Sequence, residues 1–177
     1  TPINLMVVAQ DSFTIDHEGP WRKWVNVVKY DYKAQEVEWN QVVGRNLPIS
    51  GIFFFPIYLG LDVDNNGHIY VSLGDLGPPY ILGNDSIHVG EASSGHGAVV
   101  VLDNEGTILR SDIVDGDAAI VDVKTIGLNS YLLIQSRSNF ITYRDISIGD
   151  ESDVLTLDNF VLKVDQNGDY LDDYHTF

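Results

Sequence analysis

The sequence predicts an all-β protein of short antiparallel strands, and three observations carry that expectation. Helix signals are scarce: no stretch of twelve or more residues keeps apolar side chains at helical spacing. Short runs rich in β-branched and aromatic residues recur along the chain, separated by clusters of Asn, Asp, Gly and Ser. The runs also fall into pairs that repeat, three of them turning at an Asp (31, 103 and 165).

Taken in order, "INLMVV" is the first strand and "WVNVVKY" the second, which turns at Asp31 into a strand carrying Trp39. "GIFFFPIYLGL" is the longest apolar run; Pro56 breaks it, and it fits a buried strand. "HIYVSL" follows the turn at Asn66-Gly67, a dipeptide suited to a type I′ turn with positive φ at both central positions. "GAVVVL", "AAIVDV", "SYLLIQ", "NFITY" and "NFVLKV" complete the set.

Two hairpin units alternate. "VNVVKYDYKAQEVEWN" at 25–40 matches "GAVVVLDNEGTILRSD" at 97–112 and "NFVLKVDQNGDYLDDY" at 159–174, each an apolar strand, an Asp (31, 103, 165), a turn and a second strand. "LGLDVDNNGHIYVSLG" at 59–74 matches "AAIVDVKTIGLNSYLLIQS" at 118–136. The spacings between matching Asp residues, 72, 62 and 60, give four strands per period. Four antiparallel strands per repeat is the make-up of a β-propeller blade, stabilised by packing on its neighbours.

The same segments resemble the bacterial SBBP-type β-propeller repeat. "VVKYDYKAQEVEWNQVVG" with "LGLDVDNNGHIYVSLG", "GAVVVLDNEGTILRSDIVDGD" with "VDVKTIGLNSYLLIQS", and "DNFVLKVDQNGDYLDD" carry the likeness, with Trp39 at that family's Trp. "GRNLPISGIFFFPIY" departs from its usual glycine-rich link. On this reading the chain is a single partial propeller with about three blades' worth of strands. It would hold the end of a blade at 1–20, two blades at 21–95 and 96–157, and the start of another at 158–177. The resemblance implies a non-enzymatic bacterial module, extracellular or at the cell surface, for adhesion, assembly or ligand binding. A propeller enzyme acting on polysaccharide, a lyase or glycosidase, is the alternative, as is a purely structural subunit of a larger secreted complex. Closure needs at least four blades, so the expected partner is the remainder of a larger propeller or a protein covering the open blade faces.

Composition bounds the partners. Ten basic against 26 acidic residues give a net charge of −16, which argues against nucleic-acid phosphates and anionic membrane surfaces. No Cys is present, which excludes disulfides and thiolate chemistry. No apolar run approaches the roughly 18 residues of a membrane-spanning helix. Starting at Thr1, the chain reads as a mature product or a piece of something longer.

Asp62, Asp64 and Asn66 ahead of Gly67 alternate as calcium ligands do at the start of an EF-hand loop, making calcium the candidate cofactor. The twelfth position holds Leu73 rather than Glu and the flanks are strands, so turn chemistry is the simpler account. Trp21 and Trp24 in "HEGPWRKW" and Tyr80 in "GPPYILGND" lie in loops between strands and are the candidate ligand-binding residues, with carbohydrate as a candidate ligand. Blade-to-blade packing competes for the same aromatics. The acidic residues Asp150, Glu151, Asp153, Asp169, Asp172 and Asp173 read as a solvated stretch. The five His show no metal spacing. "SSGHG" places Ser94 near His96 without forming a nucleophile elbow. Asn84-Asp85-Ser86 fits the N-glycosylation pattern.

Overall fold

The computed structural model describes residues 4–12, 22–46, 59–76, 80–82, 85–87, 96–138, 140–149 and 158–176. In chain order the strands are β1 (Asn4–Ser12), β2 (Arg22–Asp31), β3 (Glu36–Asn46), β4 (Leu59–Val63), β5 (Ile69–Leu76), β6 (Tyr80–Leu82), β7 (Asp85–Ile87) and β8 (His96–Leu102). They continue as β9 (Ile108–Asp115), β10 (Ala118–Ile126), β11 (Asn129–Ser136), β12 (Phe140–Tyr143), β13 (Ile146–Gly149), β14 (Asp158–Val164) and β15 (Tyr170–Thr176). The all-β expectation holds.

The strands form three open antiparallel sheets. The first has the order β1-β2-β3-β6-β7, the middle one β13-β12-β9-β8-β5-β4, and the last β10-β11-β14-β15. The middle sheet is covered on both faces. Val25, Val27, Val43 and Leu82 of the first sheet pack on Val71 and Val100 on one side. On the other, Phe160, Leu162, Val164 and Leu132 of the last sheet pack on Val99 and Val101. That placement explains why every residue of β8 is buried: "HGAVVVL" is apolar on both faces because both faces are core. The last sheet alternates instead, as β14 shows by burying Asp158, Phe160, Leu162 and Val164 and turning Val161 and Lys163 the other way.

The expected propeller is corrected here. None of the three sheets closes, and nothing in the described residues arranges them into a ring. The hairpins also group differently from the expected blades. β2–β3 takes β1 on one side and β6 on the other, so β4–β5 joins no sheet with it. β5 pairs with β8 instead, which merges hairpins assigned to separate blades. β14–β15, expected to open a further blade, completes a sheet with β10–β11. The physical reason is burial: β5 buries Ile69, Val71 and Leu73 on one face and Tyr70 on the other, and so needs an interior place, which a six-stranded central layer supplies. Two further corrections concern loops: Trp24 lies within β2 and Tyr80 opens β6, so neither sits in a loop.

Candidate functional site

Three hairpin turns are built alike. In Asp64–His68, Asp103–Thr107 and Asp165–Asp169 the Asp carboxylate accepts the N–H groups two and four residues on. The distances are 2.8 and 2.9 Å at Asp64, 3.0 and 2.7 Å at Asp103, and 2.8 and 2.9 Å at Asp165. The N–H of the fourth residue, always Gly, donates back to the Asp carbonyl at 3.0–3.1 Å. Only that Gly takes positive φ, at 80–86°. The expected type I′ geometry at Asn66-Gly67 is therefore corrected: Asn66 stays at ordinary φ, and the turn ends in a single left-handed residue. Asp is needed because one short carboxylate reaches two backbone donors.

Two of these turns are gripped by the neighbouring sheet. Trp39 and Lys29 face each other across β2–β3. Trp39 Nε1–H and the Lys29 ammonium both donate to the Asn104 carbonyl, at 3.0 and 3.2 Å, and Lys29 also reaches Asn104 Oδ1 at 3.0 Å. The Trp39 ring lies so close over Gly106 that a Cβ there would meet it at 2.8 Å. At the next interface the turn at Gly168 is held by the middle sheet. Tyr143 Oη donates to the Gly168 carbonyl at 2.9 Å, and Arg144 Nη2 donates to the Asn167 carbonyl at 2.9 Å. Arg110 lies against Gly168 on the same side.

The second grip is ionic. Asp112, its side chain 5% exposed, accepts from Arg144 Nε at 3.0 Å and pairs with Arg110. Arg144 extends to Asp169 at 2.8 Å. The guanidinium carbons of Arg110 and Arg144 sit 6.0 and 5.9 Å from the ring centroids of Tyr70 and Tyr143, within cation–π range. Burial pushes the Tyr143 hydroxyl far above the ordinary tyrosine value, with the Asp112 carboxylate adding to it, so it remains a donor. Arg144 adopts a left-handed backbone, φ 52°, a conformation rare for a non-Gly residue and held here by its bonds to both sheets.

The sequence-derived candidates fall into different places. Asp62 points to the last sheet, where it accepts from Lys124 at 3.0 Å and from the N–H and hydroxyl of Thr125 at 2.7 and 2.9 Å. Partial burial works to raise its pKa, but the Thr125 and Lys124 bonds outweigh it and hold the carboxyl below the usual value. Asp64 is occupied by its own turn and by His68 Nδ1 at 3.0 Å, while Asn66 is exposed. These three residues thus aim in separate directions, and no group of three metal-binding side chains is assembled among the described residues. Trp21 lies outside the described residues; Trp24 pairs with Gln10 and Arg45, and Tyr80 with Asn46 and Ile87, on strands of the first sheet.

His96 opens β8, is buried, and sets Nδ1 2.5 Å from Asp115 Oδ1. Ser94, Asp150, Glu151 and Asp153 lie outside the described residues. Asp172 and Asp173 are on β15, where Tyr170 donates to Asp173; that bond and burial push the Tyr170 hydroxyl up to about 12. Lys29, Arg110, Tyr143 and Arg144 were missed by sequence reasoning. A readable signal existed for one grip. Trp39 and Arg110 occupy the same register, opposite the residue two before the turn Asp, and each lies over the Gly of the next sheet's turn. Among the described residues no helix is long and apolar enough to cross a membrane.

No protein-family model, no curated protein and no solved structure matches this chain. The resemblance to the SBBP-type repeat is corrected accordingly, together with the propeller-based adhesion, enzymatic and structural roles it implied. The Asp and Gly residues that carried the likeness are those that an Asp-capped β-hairpin with a left-handed Gly requires, and Trp39 serves instead to cover Gly106.

Proposed function

We propose that this chain is a protein-docking unit, acting through the outward face of its last sheet rather than through catalysis. One observation carries the reading. The first and middle sheets each use their forward face to hold the next sheet, and the last sheet presents the same positions with nothing over them among the described residues. Lys163 and Asp172 stand in register where Lys29 and Trp39 stand in the first sheet and Val101 and Arg110 in the middle one. Around them Leu133 and Tyr174 are 39% and 55% exposed on the same face, where interior packing would otherwise bury them. The outer edge of β15, which pairs with no other strand among the described residues, adds backbone donors and acceptors beside this surface.

Site-specific photo-cross-linking in the cells that make the protein tests the reading. A photoreactive phenylalanine at 133 or 174 is expected to trap a protein several-fold more efficiently than one at Ile126 or Leu128. These controls are both 61% exposed but sit at the β10–β11 turn. Equal trapping at all four positions would contradict it.

A further inference from the structure

The outward face of the last sheet has a matching turn elsewhere in the chain. The first sheet carries an Asp-capped turn, residues 31–36, in which Asp31 accepts the N–H groups of Lys33 and Ala34 at 2.7 and 3.1 Å. It occupies the place in its hairpin of the gripped turns at 103–107 and 165–169, but is one residue longer, and its carboxylate takes the second and third N–H groups on where theirs take the second and fourth. Yet it is open: residues 32–35 are all exposed, with Tyr32 at 73%. Its left-handed residue is Gln35, φ 58°, four residues past the Asp, where the gripped turns have a left-handed Gly three past it.

We propose that this turn docks on the outward face of the last sheet of a second copy, making a head-to-tail contact. The proposal rests on the docking reading and names its partner. Three features argue for a second copy as the occupant. The first is continuity: the contact would repeat the geometry that already joins the first sheet to the middle and the middle to the last. Lys163, in the register of Lys29, would donate to the Tyr32 carbonyl as Lys29 donates to that of Asn104. The second is size. Trp39 and Arg110 are large and leave room only for Gly beneath them, whereas Asp172 is short and leaves room for Gln35. The third is charge. Asp172 is exposed and bonded only to the Asp173 N–H among the described residues, at 3.0 Å, and the facing turn carries Lys33, exposed and without an ion pair among them. Such a contact is heterologous, so one copy uses its turn and the other its face.

Sedimentation velocity on the whole chain tests this with two exposed substitutions, Lys33→Glu and Asp172→Lys, after circular dichroism has shown that each folds. The unsubstituted chain is expected to self-associate with rising concentration. Each variant alone is expected to lose at least tenfold in association, because like charges then meet. Mixing the two is expected to restore association to about that of the unsubstituted chain, with the two variants alternating, since the charge-reversed turn then meets the charge-reversed face and the unaltered turn meets the unaltered face. A chain that stays monomeric, or associates regardless of both substitutions, or shows no recovery on mixing, would overturn the second copy as the occupant. The docking reading is judged separately, by the cross-linking at 133 and 174.

Discussion

The two interfaces that hold this molecule together solve one problem with different chemistry. Between the first and middle sheets the turn at Gly106 is covered by the flat ring of Trp39, with a single ammonium, Lys29, beside it. Between the middle and last sheets the turn at Gly168 is held by two guanidinium groups and a phenol around the buried Asp112. Each captures carbonyls that the hairpin itself leaves unbonded. The aromatic grip relies on shape and resists deformation; the ionic grip relies on mutual neutralisation and fails when one charge is lost.

That contrast orders the expected effects. The largest follows Asp112→Ala, which leaves Arg110 and Arg144 with no shared carboxylate in a buried site and is expected to cost about 3–5 kcal/mol. Urea unfolding monitored by circular dichroism checks it; a loss below about 1 kcal/mol would show that the ionic grip is dispensable. Gly106→Ala comes next. A left-handed Ala costs about 1–2 kcal/mol, and its Cβ meets the packed Trp39 ring, so the sum is about 3 kcal/mol. Gly168→Ala meets the ends of the Arg110 and Arg144 side chains, which swing aside more readily than a ring. It is expected to cost about 1 kcal/mol less than Gly106→Ala under the same assay. The reverse order would contradict the shape-based account of the Trp39 grip.

Hydrogen-bond deletions are smaller. Tyr143→Phe strips the buried donor from the Gly168 carbonyl and is expected to cost about 1–3 kcal/mol. Trp39→Phe keeps an aromatic ring and leaves Lys29 bonded to the same Asn104 carbonyl, so about 1 kcal/mol is expected. Thermal melts of the two variants rank them directly.

Acidification has the smallest and most gradual effect. Burial works to raise the pKa of Asp62 and of Asp165, but hydrogen bonds to each carboxylate outweigh it and hold both below 3.8. A depressed folded-state value means that the stabilisation is present above the unfolded value near 3.8 and is lost as pH falls through the folded values. Stability should therefore be level above about pH 5 and decline below about pH 4. Asp62→Asn should flatten part of that decline; an identical acid limb in the variant would exclude Asp62 as a contributor.

The contrast between the interfaces also shows what the sequence made legible. The Asp-to-Gly turns could be read from spacing alone, because their geometry is local: a carboxylate, two N–H groups and one left-handed residue. The strands were legible for the same reason, in the alternation of β14 and the unbroken apolar run of β8. Which hairpins share a sheet was not legible. β5 and β8 pair across 19 intervening residues, and β11 and β14 across 21, with no local signal choosing those partners over others. Nor was the second grip legible, because Arg110, Asp112, Tyr143, Arg144 and Gly168 converge only after three hairpins have packed. The calcium reading drew on real residues, but Asp62 was recruited by the last sheet and Asp64 by its own turn.

Gripped turns join the sheets in series, and on the proposed reading the series continues on the outward face of the last sheet. Hydrogen–deuterium exchange resolved at single amides, across a range of protein concentrations, tests it most directly. Gly106 and Gly168 N–H are expected to be protected at every concentration. Lys33 and Ala34 N–H, in the open turn, are expected to exchange quickly when dilute and to gain protection as concentration rises. Gly106 exchanging as fast as Ala34, or Lys33 and Ala34 unchanged at the highest concentration, would contradict it.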